Sequence, residues 1–176
     1  MLTSLPPVNN VLITADEIQE KVKWFGAQIT HDFAGSEVHL ISILRGGLVL
    51  LADLIRRIEL PLTYDTIEIS SYGDSKESSG IVRLVKDLTS NIENRNVILV
   101  EDIIDTGISL NYLVKNLQTR KPKSVKVCVL LDKYEARKVQ VQVDYCGFKI
   151  PNSFIVGYGL DYQGYYRNLP YIGILD

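Results

Sequence analysis

The segment Val97–Ser109, VILVEDIIDTGIS, constrains the fold more than any other part of the chain. Four apolar, mostly β-branched residues (Val97 to Val100) without alternation predict a strand buried on both faces. The strand delivers Glu101 and Asp102 at its carboxyl end, and Asp105-Thr106-Gly107-Ile108-Ser109 then leads into a helix carrying Leu113, Val114 and Leu117 on one face. A buried strand feeding a helix through a glycine turn is the unit of an open α/β sheet. In such sheets ligands bind at the carboxyl ends of the strands.

The rest of the chain repeats that rhythm. Thr14 and Glu17 form a capping box, after which Ile18, Val22, Phe25 and Ile29 recur at helical spacing. Glu37–Leu44 is a short apolar strand ending on Arg45-Gly46-Gly47, and Leu48–Ile58 a helix with a buried face. Residues 62–72 predict a strand with Ile67 and Ile69 on one face. Gly73–Gly80, polar and rich in glycine and serine, predicts a mobile loop, with Ile81–Val85 returning as the second strand of a long hairpin. Further strands are expected at SVKVCVLLD, at the alternating VQVQV of Val139–Val143, and at Phe154–Tyr158.

At 176 residues, this predicts one α/β domain with a largely parallel sheet flanked by helices. Its core covers about residues 14–135. A small hood follows from about 136 to 176, joined by the N-terminal segment. The net charge of −2 supplies no basic face for nucleic acid, and no run nears the roughly 18 apolar residues that span a bilayer. The first residues lack the features of an export signal, so a cytoplasmic protein is expected. Cys128 and Cys146 have no metal-type spacing and are taken as structural.

The chemistry of the Val97–Ser109 segment can be read without a family. Gly107 permits close backbone approach, and Thr106 and Ser109 add hydroxyls beside the N–H groups of a helix start, which suits a phosphate monoester. Carboxylates next to a phosphate make sense if Glu101 and Asp102 accept from ribose hydroxyls or hold Mg²⁺. Asp105 is then left for acid–base work. The plainer alternative, acids that only cap a helix and solvate a strand end, fits Asp105 alone but not the ordered set. Asp-Thr-Gly-x-Ser also matches an aspartic-protease motif superficially. That reading needs a second copy or a small all-β dimer, and this chain has one copy and several helices.

VILVEDIIDTG strongly resembles the phosphoribosyl-pyrophosphate signature of the type I phosphoribosyltransferases. From about Thr14 onward the chain resembles their hypoxanthine-guanine branch. The resemblance implies the type I phosphoribosyltransferase fold, with a hood and a long flexible hairpin. It also implies transfer of the 5-phosphoribosyl group from phosphoribosyl pyrophosphate to a 6-oxopurine.

By that resemblance Glu101, Asp102, Asp105, Thr106, Gly107, Ile108 and Ser109 bind ribose and phosphate, with Asp105 as the catalytic base. Arg45, Gly46 and Arg167 bind pyrophosphate, and Leu44–Arg45 is a non-proline cis peptide. Ser71 and Tyr72 open a flap over the reacting centre. Lys133 reads the purine 6-oxo group, Phe154 stacks on the base, and Ile155, Leu160 and Asp161 present groups to its edge. Mg²⁺ is the implied cofactor, held by Glu101, Asp102 and Asp161. The partners are small-molecule substrates and further copies of the chain in a homodimer or homotetramer, with neither nucleic acid nor membrane. Two departures stand out: Arg45 where many members carry lysine, and Ile108 where several carry a polar or basic residue. A regulator with the same fold that senses nucleotide and binds RNA or DNA is the other reading. It would need a basic surface and could dispense with Lys133 and the Phe154-to-Arg167 segment.

Overall fold

The computed structural model describes residues 5–71 and 82–175. Strand β1 (Val8–Ile13) leads into helix α1 (Ala15–Asp32). The Thr14 hydroxyl accepts from Glu17 N–H at 3.3 Å while the Glu17 carboxylate accepts from Thr14 N–H at 2.8 Å, so two otherwise orphaned donors are satisfied. The predicted stripe Ile18, Val22, Phe25 and Ile29 is fully buried. Each such side chain contributes on the order of 1.5–3 kcal/mol through burial.

Then follow β2 (Val38–Leu44), α2 (Gly47–Leu54), β3 (Leu62–Ser71) and β4 (Val82–Lys86). β5 (Asn96–Ile104), α3 (Ile108–Gln118), β6 (Ser124–Asp132) and a 3₁₀ turn (Tyr134–Ala136) come next. β7 (Tyr145–Lys149), β8 (Ile155–Val156) and β9 (Ile172–Leu175) complete the described chain. Six strands form the main sheet in the order β4-β3-β2-β5-β6-β7, all parallel except the β3–β4 pair. Along β2 and β5 the side chains alternate between two cores. Leu40, Ile98 and Val100 face α1, α2 and the hood, whereas Ile41, Val97 and Leu99 face α3. The uninterrupted apolar run of β5 is thus the signature of a strand covered on both faces.

Strand order positions the site. From β2 the chain moves outward through α2 to β3, then returns and places β5 on the other side of β2. The direction of winding reverses between β2 and β5, and the loops at their carboxyl ends open a crevice there.

Three expectations need correction. Val139–Val143 forms no strand, because Lys138 and Val139 donate their N–H groups to the Thr106 carbonyl at 2.9 and 3.1 Å instead of entering a ladder. Helix α2 ends at Leu54 rather than Ile58, and Arg57 N–H closes a tighter turn onto the Leu54 carbonyl. The division near residue 136 also falls too early: β7 pairs with β6 in the main sheet, and the separate hood sheet is β1-β9-β8.

A buried carboxylate that sequence patterning does not single out ties the β4–β5 connection to β3. Asp65 accepts from the N–H groups of Thr66, Thr89 and Ser90 at 2.7, 2.7 and 2.9 Å and from the Thr89 hydroxyl at 3.0 Å. Burial opposes its charge, but these donors outweigh burial and hold the carboxyl well below its usual range. A depressed folded-state pKa contributes stability above the unfolded value, near pH 4, that is lost as pH falls through the folded one. Asp65→Asn is therefore expected to lose about 2–4 kcal/mol at pH 7, since it leaves buried donors poorly matched. Urea denaturation should show the gap to wild type shrinking below about pH 4. A gap that stays constant with pH would remove the carboxylate from the account.

Candidate active site

At the end of β2 the Leu44–Arg45 peptide is cis, as the resemblance implied. Gly46 follows where only a glycine has room: a Cβ there would overlap the Asp102 carboxylate. Gly47 is equally confined, 2.9 Å from both the Ser42 hydroxyl and the Val100 carbonyl at the position a Cβ would take. The Arg45 side chain is exposed, with Nε 3.8 Å from a Glu68 carboxylate oxygen on the next strand. The loop backbone is thus packed against Asp102 while the Arg45 side chain lies out in solvent beside Glu68.

Beside this loop, β5 ends in the acid pair. Asp102 is buried and accepts from Ile103 N–H at 2.8 Å, while one Glu101 carboxylate oxygen is shut off from solvent without a partner. Burial, and then the neighbouring Asp102 charge, push Glu101 well above the usual carboxylate range. Burial also raises Asp102, against the Ile103 N–H bond and the more distant Arg167 cation. Two adjacent, poorly solvated carboxyls favour a cation or a pair of hydroxyl donors between them and the crevice.

The following loop turns on Gly107, which has φ +81° and begins α3. A Cβ on Gly107 would lie 2.5 Å from the Val139 carbonyl, so the residue is fixed by conformation and by space. Thr106 Oγ1 accepts from Ile108 N–H at 3.4 Å. Glu101, Asp105, Thr106, Gly107 and Ser109 border one cavity of about 180 Å³, backed by Ile43 of β2. Asp105 stands at its mouth, with its side chain 54% exposed.

The next strand contributes Lys133. It is only 9% exposed, which is unusual for a lysine, and its Nζ lies 3.9 Å from Asp105 Oδ2. Phe154 is the reverse case, an aromatic ring left 54% exposed, with Tyr162 edge-on at 5.9 Å. Leu175 N–H bonds to the Phe154 carbonyl, and Ile155 stands opposite Ile174 on the next rung. By the alternation of antiparallel ladders, Ile155 then turns its own N–H and C=O away from β9, toward the free edge of the hood sheet.

The hood loop that follows docks on the β2 loop. Gly159 has φ +100°, and a Cβ there would strike the Gly46 carbonyl. Arg167 donates to the Gly159 carbonyl and reaches an Asp161 carboxylate oxygen at 2.6 Å. Asp161 also accepts from Gly164 N–H at 2.7 Å. Asp161 is engaged by Arg167 rather than gathered with Glu101 and Asp102, and among the described residues no three acidic, histidine or cysteine side chains are placed to hold a metal ion together. Leu160 has both backbone groups bonded to Gly157, at 3.0 and 3.1 Å, so its N–H is committed while its carbonyl keeps a second lone pair. Of the flap pair, Ser71 closes β3 opposite Val82, while Tyr72 lies outside the described residues.

The structure also brings in residues not singled out by the sequence. Tyr158 donates to an Asp53 carboxylate oxygen at 2.7 Å, linking the hood to α2, and Arg137 pairs with Asp132 beneath Lys133. Both are side-chain contacts whose partners no local pattern identifies.

The chain matches the family "Phosphoribosyl transferase domain" over residues 14–163. It is 47% identical over 168 residues to the hypoxanthine-guanine phosphoribosyltransferase of Bacillus subtilis (strain 168), covering 96% of this chain and 93% of that one. Identity to the hypoxanthine-guanine phosphoribosyltransferase of Mycobacterium avium is 45% over 175 residues, covering 96% and 86% of the two chains. A crystal structure of a hypoxanthine-guanine phosphoribosyltransferase from Bacillus anthracis superposes with a TM-score of 0.93 at 48% identity, covering 97% of this chain and 100% of that one. With the crevice at the β2–β5 switch point and these similarities together, the chain belongs to the phosphoribosyltransferase family, among its hypoxanthine-guanine members.

Proposed function

We propose that the protein works in purine salvage, transferring the 5-phosphoribosyl group from phosphoribosyl pyrophosphate to hypoxanthine or guanine, with IMP or GMP and pyrophosphate as products. The observation that carries this reading is the convergence at one crevice of the Arg45–Gly46 loop, the Glu101–Asp102 pair, the 105–109 loop and the buried Lys133. They come from the carboxyl ends of three adjacent strands, β2, β5 and β6.

The 5-phosphate occupies the loop of Thr106 to Ser109, where backbone and hydroxyl donors meet the start of α3. Glu101 and Asp102 accept from the ribose hydroxyls, which relieves the repulsion between two buried carboxyls. Pyrophosphate lies toward Arg45 and the Gly46 backbone, with Arg167 on the hood side. Lys133 donates to the purine 6-oxo oxygen, Phe154 covers one face of the base, and Ile155 offers its outward backbone groups to the purine edge. The bond from the anomeric carbon to pyrophosphate breaks ahead of bond formation to the purine nitrogen. Asp105 takes the proton that leaves the base.

Mg²⁺ fits the acid pair better than a three-carboxylate cage. The ion is commonly held by one or two carboxylates together with substrate oxygens, and Glu101 supplies a shielded oxygen lacking a partner. When bound it would neutralise the departing pyrophosphate. A cytoplasmic homodimer or homotetramer completes the proposal. No helix among the described residues is long and apolar enough to cross a membrane.

Titration with IMP, GMP and AMP tests the reading. The first two should bind and AMP should bind at least tenfold more weakly, because a lysine donor suits an oxygen acceptor and not an amino group. Lys133→Ala should abolish that preference and weaken IMP by roughly tenfold, the value of a charged hydrogen bond. Equal affinities in wild type would sink the proposed substrate, and unchanged preference in the variant would remove Lys133 from base reading.

A further inference from the structure

Lys133 is placed by a loop closed at its neck. Asp132 ends β6, Lys133 follows, and the 3₁₀ turn brings Arg137 back so that its Nε and Nη2 lie 3.2 and 2.9 Å from Asp132 Oδ1. Both side chains are nearly shut off from solvent, 11% and 13% exposed. Such a pair contributes little net stability, because desolvation offsets most of the attraction, but removing one partner strands the other charge. Backbone bonds fix the remaining geometry. Lys133 N–H donates to the Ile104 carbonyl at 3.0 Å, tying it to β5, and Ala136 N–H closes the turn onto the Lys133 carbonyl at 3.0 Å.

The same loop continues into the other substrate's site. Directly after Arg137, Lys138 and Val139 donate to the Thr106 carbonyl, and the Val139 carbonyl roofs Gly107 at the distance that forbids a Cβ. One eight-residue stretch, 132–139, therefore carries the base-reading lysine at one end and braces the phosphate loop at the other. The side-chain link between its two arms is the Asp132–Arg137 pair.

We propose that the Asp132–Arg137 ion pair is a positioning device that fixes Lys133 for the purine and the Thr106–Gly107 turn for the 5-phosphate at once. This rests on the reading of Lys133 and the 105–109 loop given above. Neither partner touches substrate: each acts through the backbone it holds.

The test is a double-mutant cycle on the full-length enzyme, with KM measured for each substrate. Arg137→Met keeps the length and removes the charge. It should raise KM for the purine and for phosphoribosyl pyrophosphate by about tenfold each, the scale of a sub-ångström misplacement. In a Lys133→Ala background it should raise purine KM no further, while still raising KM for phosphoribosyl pyrophosphate. Arg137→Lys, which retains the charge, should recover most of both. If Arg137→Met does not accumulate as folded protein, Asp132→Asn carries the same cycle. A purely structural role would lower the melting temperature with both KM values unchanged, and that result, or fully additive purine effects, would overturn the proposal. If Lys133→Ala itself leaves purine KM unchanged, the base-reading assignment fails instead, and the two failures stay distinguishable.

Discussion

Asp105→Asn is expected to lower turnover by roughly ten- to a thousandfold, overlapping the lower part of the range of general-base contributions, while leaving nucleotide binding nearly intact. In the proposed reaction the departing purine proton needs an acceptor at the crevice mouth. Asp105 has an exposed carboxylate there, bordering the cavity that holds Thr106, Gly107 and Ser109. An amide of the same shape accepts a hydrogen bond but not a proton. Since the side chain is more than half exposed, the substitution should change stability by no more than about 0.5 kcal/mol. Single-turnover rates with saturating substrates, beside IMP affinity by titration, separate chemistry from binding. Wild-type rates in the variant would sink the assignment. Loss of IMP affinity as large as the loss of rate would make Asp105 a binding residue instead.

Gly159→Ala is expected to damage both stability and activity. At φ +100° an alanine is strained by on the order of 1–3 kcal/mol. Its Cβ would also meet the Gly46 carbonyl, a backbone atom that cannot swing aside. The hood loop must then part from the β2 loop, taking with it Arg167, which donates to the Gly159 carbonyl. A fall in melting temperature of several degrees follows, at about 2–4 °C per kcal/mol for a chain this long. A loss of at least tenfold in kcat/KM should accompany it if Arg167 meets pyrophosphate. Gly35→Ala is the control, with a similar φ of +76° and no atom within 4 Å of the added methyl. It should lower stability without touching kinetics. If the two variants behave alike, the Gly159–Gly46 contact has no part in catalysis.

Much of the fold that frames this candidate site was legible in the sequence because its parts are local. The capping box, the buried β5 run and the glycine turn into α3 each depend on neighbours within a few residues. The parallel sheet brings the ends of such units together without further instruction. What escaped depends on partners far along the chain. Val139–Val143 alternates like a strand, yet its first N–H and that of the preceding Lys138 are committed to the Thr106 carbonyl, more than thirty residues earlier. Nothing local in the sequence pairs Asp132 with Arg137, which meet only when the 3₁₀ turn folds one onto the other. Asp161 sits in the expected segment, but Arg167 lies within the same loop and claims its carboxylate. Composition could not have settled that competition, because the loop that brings the two together turns through positive φ at Tyr158, Gly159, Gln163, Gly164 and Tyr166.

The most direct measurement is a spectrophotometric assay of purified protein with phosphoribosyl pyrophosphate, Mg²⁺ and one purine at a time. Hypoxanthine or guanine should yield the 5′-monophosphate with stoichiometric pyrophosphate, and adenine should not. Nucleotide formation from adenine alone, or from none of the purines under conditions where the protein retards nucleic acid in a gel, would contradict the account.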